Sequence, residues 1–199
     1  MLFLPGIAPV GEGLPFSPFD ASSELARTLL YDFPATALVL YLLFRDRRPS
    51  ASGFSRPRKS DALVAVGAFA LLVGVAMGLS ALSALVRGSP MSPLVEAPRG
   101  LPEWLAMVLV CAATGYLEET YFRAYLFIRL EEAGLDARKS IAVSILLFSL
   151  CHVYEGAWGV LNAAIAAFVL SLAYLRNRSV HGPAWAHAAY NALVYIMGT

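Results

Sequence analysis

The chain has 199 residues, of which 58% are hydrophobic and only 15% are charged. This composition is too apolar for a soluble domain of that size and indicates a polytopic membrane protein. The net charge of +1, without basic runs interleaved with aromatic residues, argues against a nucleic-acid partner. We therefore predict an all-α helical bundle in the lipid bilayer, forming one integral-membrane domain over residues 1–199.

The first 23 residues, which are rich in proline and glycine, are predicted to form a lead that lies at the membrane interface. The start of the chain has no basic leader region, and Pro5, Pro9 and Pro15 interrupt it. These features differ from those of a cleaved signal peptide.

Six apolar segments follow, and we predict that each is a transmembrane helix. They cover residues 24–44, 62–86, 103–132, 140–154, 158–175 and 183–197. The first is the weakest candidate, and the last three are short. Lysine and arginine concentrate in the loops after the first, third and fifth segments, which predicts that these loops are cytoplasmic and that both termini lie on the opposite side. The expected location is the bacterial inner (cytoplasmic) membrane, with multiple passes.

Small and turn-forming residues give three local predictions. Gly74 and Gly78 form a small-xxx-small pair, which favours close packing of helix backbones. Gly134 is expected to end the third helix, and Asp136 to cap the next.

The third segment carries three charged side chains, Glu118, Glu119 and Arg123. An ionised group at mid-bilayer costs at least about 2.5 to 3.5 kcal/mol on insertion scales, so such residues are candidates for function or pairing. Glu119 and Arg123 are four positions apart and are predicted to form an ion pair on one helix face. Glu118 points about 100° away from Glu119. It has no partner on its own helix and is a candidate proton acceptor.

Two of the three histidines lie in apolar segments. His152 follows Phe148 by four positions in the fourth segment, and His187 precedes Asn191 by four positions in the sixth, so each pair is predicted to share a helix face. His181, beside Gly182 and Pro183, is interpreted as a loop or helix-start residue without a catalytic role. At 1.5 Å per residue, His187 falls too low to reach the other polar groups unless its helix begins earlier or lies higher than drawn.

These polar groups form a set that can hydrolyse a peptide bond. A carboxylate can activate a water molecule that a second polar group holds, while donors stabilise the attacked carbonyl. In this interpretation Glu118 takes the proton, His152 positions the water or shares the proton, and His187 and Asn191 donate to the oxyanion. Three further residues are expected to orient them: Glu119, Arg123 and Phe148.

The same residues form three ordered motifs: EExxxR at 118–123, FxxxH at 148–152 and HxxxN at 187–191. In this order, over about residues 103–197, the chain resembles the CPBP family, which contains CAAX prenyl endopeptidases, bacteriocin-processing and immunity proteins, and myxosortases. The resemblance implies an all-helical intramembrane endopeptidase with residues 103–197 as its catalytic core. It also implies a membrane-anchored or lipid-modified protein as substrate, cut near its C-terminus, with myxosortase-like sorting as one form of this activity.

The sequence leaves four alternatives open. Glu118, His152 and His187 are also a possible zinc-ligand set. The chain lacks HExxH, and Asn191 suits an oxyanion donor better than a ligand, so we favour a glutamate mechanism without a cofactor. The others are a non-catalytic immunity or scaffold protein, an ion or proton carrier, and a nucleophilic role for Cys111. Cys111 and Cys151 are otherwise expected to pack within the apolar segments, not to form a disulfide.

Overall fold

The computed structural model describes residues 7–9, 18–46 and 49–198. The described residues form an all-α bundle of six helices and a two-stranded sheet. The helices are α1 (Ala21–Phe44), α2 (Lys59–Arg87), α3 (Leu101–Glu119, continued by Thr120–Tyr125 and Leu126–Glu132), α4 (Ala137–Leu150), α5 (Gly156–Asn177) and α6 (His181–Met197). Helices α1 and α3 contain π-helical turns at Thr28–Asp32 and Thr120–Tyr125, and 3-10 turns cover Pro49–Ser52 and Val153–Glu155. The all-α class is confirmed, and each of the six predicted segments corresponds to one helix.

Three helical stretches are long and apolar enough to cross a membrane: Ala21–Phe44, Lys59–Arg87 and Val153–Asn177. They support a multi-pass membrane protein. Helices α4 and α6 have only 14 and 17 residues, and α3 carries the three charges described above. Crossing by these three helices, the sidedness of the loops and the identity of the membrane stay predictions.

The sequence analysis did not predict the small antiparallel sheet. Strand β1 (Ile7–Pro9) pairs with strand β2 (Met91–Pro93), with Ala8 opposite Ser92. Both strands end in proline, which fixes φ and suits extended backbone at the edge of a sheet. The rest of the predicted interfacial lead up to residue 17, and with it the signal-peptide interpretation, lies outside the described residues.

Helix α6 lies at the centre of the bundle. Its Val194 packs with Leu72 of α2 and Leu170 of α5 in one buried cluster, while its other side contacts α3. At Gly115 of α3, a Cβ atom would lie 2.9 Å from the carbonyl oxygen of Ala184 in α6. Only glycine allows the two backbones to approach this closely. This contact brings the charged part of α3 against α6.

Two of the local predictions are confirmed. Gly134 adopts φ 83° just after α3, a left-handed conformation that favours glycine at a helix end. The Asp136 carboxylate accepts a 2.9 Å hydrogen bond from the Lys139 backbone N–H at the start of α4. The prediction for Gly74 and Gly78 is wrong, since a Cβ at either position would meet no described atom within 4 Å. The two glycines lie on the outer face of α2, where no other helix packs.

Candidate active site

The predicted ion pair between Glu119 and Arg123 is confirmed, and both side chains are fully buried. Arg123 Nη1 lies 3.0 Å from Glu119 Oε1. The same guanidinium donates from Nη2 to the Ala167 carbonyl oxygen of α5 at 3.3 Å and lies 4.8 Å from the ring centre of Phe148. A buried charge needs both a counter-charge and hydrogen bonds, and Arg123 has them from three helices.

Glu119 also binds His187 of α6. The His187 Nδ1–H donates to Glu119 Oε1 over 2.9 Å. Helix α6 begins at His181, two residues earlier than predicted, and it approaches α3 at Gly115. This removes the mismatch in depth, because His187 lies beside the two glutamates.

Glu118 differs from Glu119 in having no such partners. Its side chain is only 2% exposed, and neither carboxylate oxygen makes a hydrogen bond with any described residue. Its Oε2 lies 3.8 Å from His187 Nε2, which is too long for a direct hydrogen bond. Both oxygens are therefore available as acceptors beside a buried imidazole.

His152 does not lie on the face of α4, as predicted, but two residues past Leu150, where the helix ends. Its Nδ1–H donates to the Phe148 carbonyl oxygen at 2.8 Å, so the ring satisfies one of the carbonyls that a helix end leaves free. The ring stacks on Phe148 with centroids 4.6 Å apart, and the same Phe148 ring lies 5.9 Å from that of His187. Phe148 thus joins both histidines and Arg123 in one group.

The structure therefore brings together six predicted residues, which we call the Glu118 cluster: Glu118, Glu119, Arg123, Phe148, His152 and His187. Asn191 lies one turn after His187 on the same face of α6 and is buried. Its Nδ2 has no hydrogen-bond acceptor among the described residues. It is a free amide donor next to the cluster.

The hydrogen bonds also determine the neutral form of each imidazole. His152 and His187 both donate through Nδ1, so a neutral ring carries no proton on Nε2 and can only accept there. His187 can donate to an oxyanion only when both nitrogens are protonated. Asn191 can donate in every state, which makes it the more general oxyanion donor of the predicted pair.

The zinc alternative requires Glu118, His152 and His187 to converge on one point. Among the described residues, no three His, Cys, Asp or Glu side chains form a group that could hold a metal ion. The observed arrangement does not fit this ligand set, and no chemical step is derived through a metal.

The cysteines differ from each other. Cys111 is buried, with its Sγ 3.6 Å from Met107 Sδ, and it packs in a cluster with Tyr195. This confirms the packing prediction for Cys111. Cys151 is exposed at the end of α4, so the same prediction is wrong for Cys151, because the helix ends before it reaches the interior. Both are free thiols.

His181 has a structural environment, as predicted for a helix-start residue. Its Nδ1 lies 3.0 Å from the Tyr116 hydroxyl and its Nε2 lies 2.8 Å from the Ser55 carbonyl oxygen. Both ring nitrogens are therefore used in joining α6 to α3 and to the loop before α2.

The sequence analysis missed a second polar group on α1. Asp32 is fully buried, and both of its oxygens lie 3.0 Å from Arg27 Nη1. The Thr114 hydroxyl donates to Asp32 Oδ2 at 3.4 Å, one helical turn before Glu118. An acid within the apolar run of the first segment was the available signal, by the same reasoning that singled out Glu118.

Residues 100–193 match the family model described as type II CAAX prenyl endopeptidase Rce1-like. This region belongs to the Rce1-like family. It contains all of the Glu118 cluster and Asn191, and it includes neither α1 nor α2. No curated protein and no solved structure matches the chain.

Membership of the Rce1-like family confirms the resemblance found in the three motifs and implies an intramembrane protease. The family description names prenyl endopeptidases, which act on lipid-modified proteins. It lends no support to the narrower interpretation as a myxosortase.

Proposed function

We propose that this protein is an intramembrane endopeptidase that cuts near the C-terminus of a membrane-anchored or lipid-modified protein, with Glu118 as the general base. The observation that supports this best is a buried carboxylate, both of whose oxygens are without a hydrogen-bond partner among the described residues. It lies beside an imidazole, a second imidazole and a free amide donor. A buried acid without a structural partner is costly to keep unless it has another use.

In the proposed reaction, Glu118 removes a proton from a water molecule as the oxygen of that water attacks the scissile carbonyl carbon. His152 holds the water through its Nε2 lone pair. Asn191 Nδ2 donates to the oxyanion, and His187 adds a second donor when it is doubly protonated. The tetrahedral intermediate then collapses, the C–N bond breaks, and the proton on Glu118 passes to the departing amine.

The remaining residues of the cluster position these groups. Glu119 fixes the orientation of the His187 ring through Nδ1, and Arg123 fixes Glu119. Phe148 supports the His152 ring by stacking and by its carbonyl oxygen. None of the three needs to touch the substrate.

His152→Gln is expected to lower cleavage by about 10²-fold or more, the usual loss when a positioned acid-base group is removed. The measurement compares the C-termini of membrane proteins, by mass spectrometry, in cells that carry the variant or the wild type in place of any native copy. His181→Gln is the matched control and should leave cleavage per folded molecule unchanged, because His181 bonds only to Tyr116 and Ser55. Wild-type cleavage in His152→Gln would contradict its proposed role.

Cleavage of the substrate found in this way is expected to survive prolonged treatment of the purified protein with a strong chelator. The reason is that the proposed base is a carboxylate, which needs no metal to accept a proton. Loss of activity on chelation, followed by recovery on adding zinc, would instead support the ligand set of Glu118, His152 and His187.

A further inference from the structure

An open groove of about 380 Å³ runs between α2 and α5, away from the Glu118 cluster. Its walls are apolar along most of its length and include Leu63, Leu71, Val169 and Leu172. One end is polar and is formed by Ser60, Arg176 and Asn177. The groove therefore has an apolar channel that leads to a polar end, in the size range of ligand pockets.

The polar end carries a positive charge that is not neutralised. Asn177 Nδ2 is already bound to Asp61, at 3.0 Å. The two other arginines nearby in the chain have carboxylate partners: Arg178 lies 2.7 Å from Glu131, and Arg58 lies 3.6 Å from Asp61. Arg176 is exposed in the last turn of α5 and makes no ion pair with any described residue. It supplies a free guanidinium at the end of the groove.

The wall of the groove also leaves room for a hydrocarbon chain. Gly67 of α2 lines it, and a Cβ at this position would meet no described atom within 4 Å. A glycine inside a helix costs about 1 kcal/mol relative to alanine. Here it keeps the wall of the groove flat beside Leu71.

We propose that this groove binds an anionic phospholipid, with an acyl chain along the apolar wall and the phosphate against Arg176. An apolar channel that ends in an unpaired cation is complementary to a lipid with a negatively charged headgroup. The loops at this end of α2 and α5 are rich in basic residues and are predicted to be cytoplasmic, and anionic lipids attract such segments. The proposal concerns a surface distinct from the peptidase site and does not depend on it.

The test titrates the full-length protein, purified in a neutral detergent, with phosphatidylglycerol, phosphatidylcholine or inorganic phosphate, and follows the thermal unfolding temperature. Only phosphatidylglycerol should raise it in a saturable way. Arg176→Gln should weaken the apparent affinity about fivefold, the contribution of one basic residue beside an anionic lipid. Gly67→Leu, which fills the groove without changing the charge, should remove the saturable shift.

Two matched variants serve as controls. Arg138→Gln removes an exposed arginine at the start of α4, and Gly74→Leu adds the same side chain at an equally open glycine of α2 that does not line the groove. Both should respond to phosphatidylglycerol as the wild type does. Equal shifts with phosphatidylcholine, the same shift with phosphate alone, or an unchanged response in Arg176→Gln and Gly67→Leu would each overturn the proposal.

Discussion

Glu118→Gln is expected to lower peptide cleavage by about 10²-fold to 10⁴-fold, because the amide keeps the size of the side chain but cannot accept a proton. The fold should be unaffected, since neither oxygen of Glu118 has a hydrogen-bond partner among the described residues that the substitution would lose. The measurement pairs the rate of cleavage of the substrate with the unfolding temperature of each variant. A large loss of rate with little change in unfolding temperature is the expected result.

Glu103→Gln is the control for this variant. Glu103 lies in the first turn of the same helix, partly exposed, where it accepts a hydrogen bond from the Arg99 backbone N–H at 2.7 Å. It should cleave as the wild type does. If Glu118→Gln cleaves normally, Glu118 is not the base. If wild type and Glu118→Gln show no difference in any membrane-protein C-terminus while Glu118→Gln unfolds more easily, the non-catalytic scaffold alternative is favoured.

Arg123→Met is expected to destabilise the protein by about 3 to 5 kcal/mol, because it leaves the buried Glu119 carboxylate without its counter-charge. The methionine fills much of the same volume, so the loss comes from charge and not from a cavity. The measurement is the free energy of unfolding in detergent. In contrast with Glu118→Gln, loss of stability should accompany any loss of activity.

Adding Glu119→Gln to Arg123→Met should recover part of that loss, because the pair is then removed together and no unpaired charge remains. Arg99→Met is the control for a salt bridge of similar length. It breaks the 2.6 Å pair between Arg99 and Glu96, whose side chains are 76% and 37% exposed, and should change stability by less than about 1 kcal/mol. An Arg123→Met variant as stable as Arg99→Met would contradict the role assigned to the buried pair.

The sequence was sufficient for interactions within one regular helix. Glu119 and Arg123 are four positions apart, and that spacing alone predicts a contact on one face. The ends of α3 and α4 at Gly134 and Asp136 were also predictable, because glycine at positive φ and aspartate at an N-cap act through local geometry.

Positions that depend on tertiary packing were not predictable in this way. The spacing of Phe148 and His152 suggested one helix face, but α4 ends at Leu150, and the histidine reaches Phe148 by binding its carbonyl oxygen. The Ala167 carbonyl that binds Arg123 belongs to the backbone of α5. A backbone acceptor leaves no pattern in the side chains, so no analysis of the sequence would have selected it.

The course of α3 shows a further limit of periodicity. The helix widens into a π-helical turn at Thr120–Tyr125, directly after Glu119. Each residue in such a turn covers a smaller angle than in an α-helix, which shifts the faces of all later residues. A count at 3.6 residues per turn therefore fails beyond Glu119 unless the π turn is known.

The bonds made by Glu119 have a consequence for the two adjacent acids. One carboxylate ties α3 to α6 through His187 and, through Arg123, to α5, whereas its neighbour Glu118 ties nothing together. A survey of all substitutions at both positions, scored separately for cellular abundance and for turnover, would split them. Replacements of the second acid would deplete the protein, and replacements of the first would leave it plentiful but inactive.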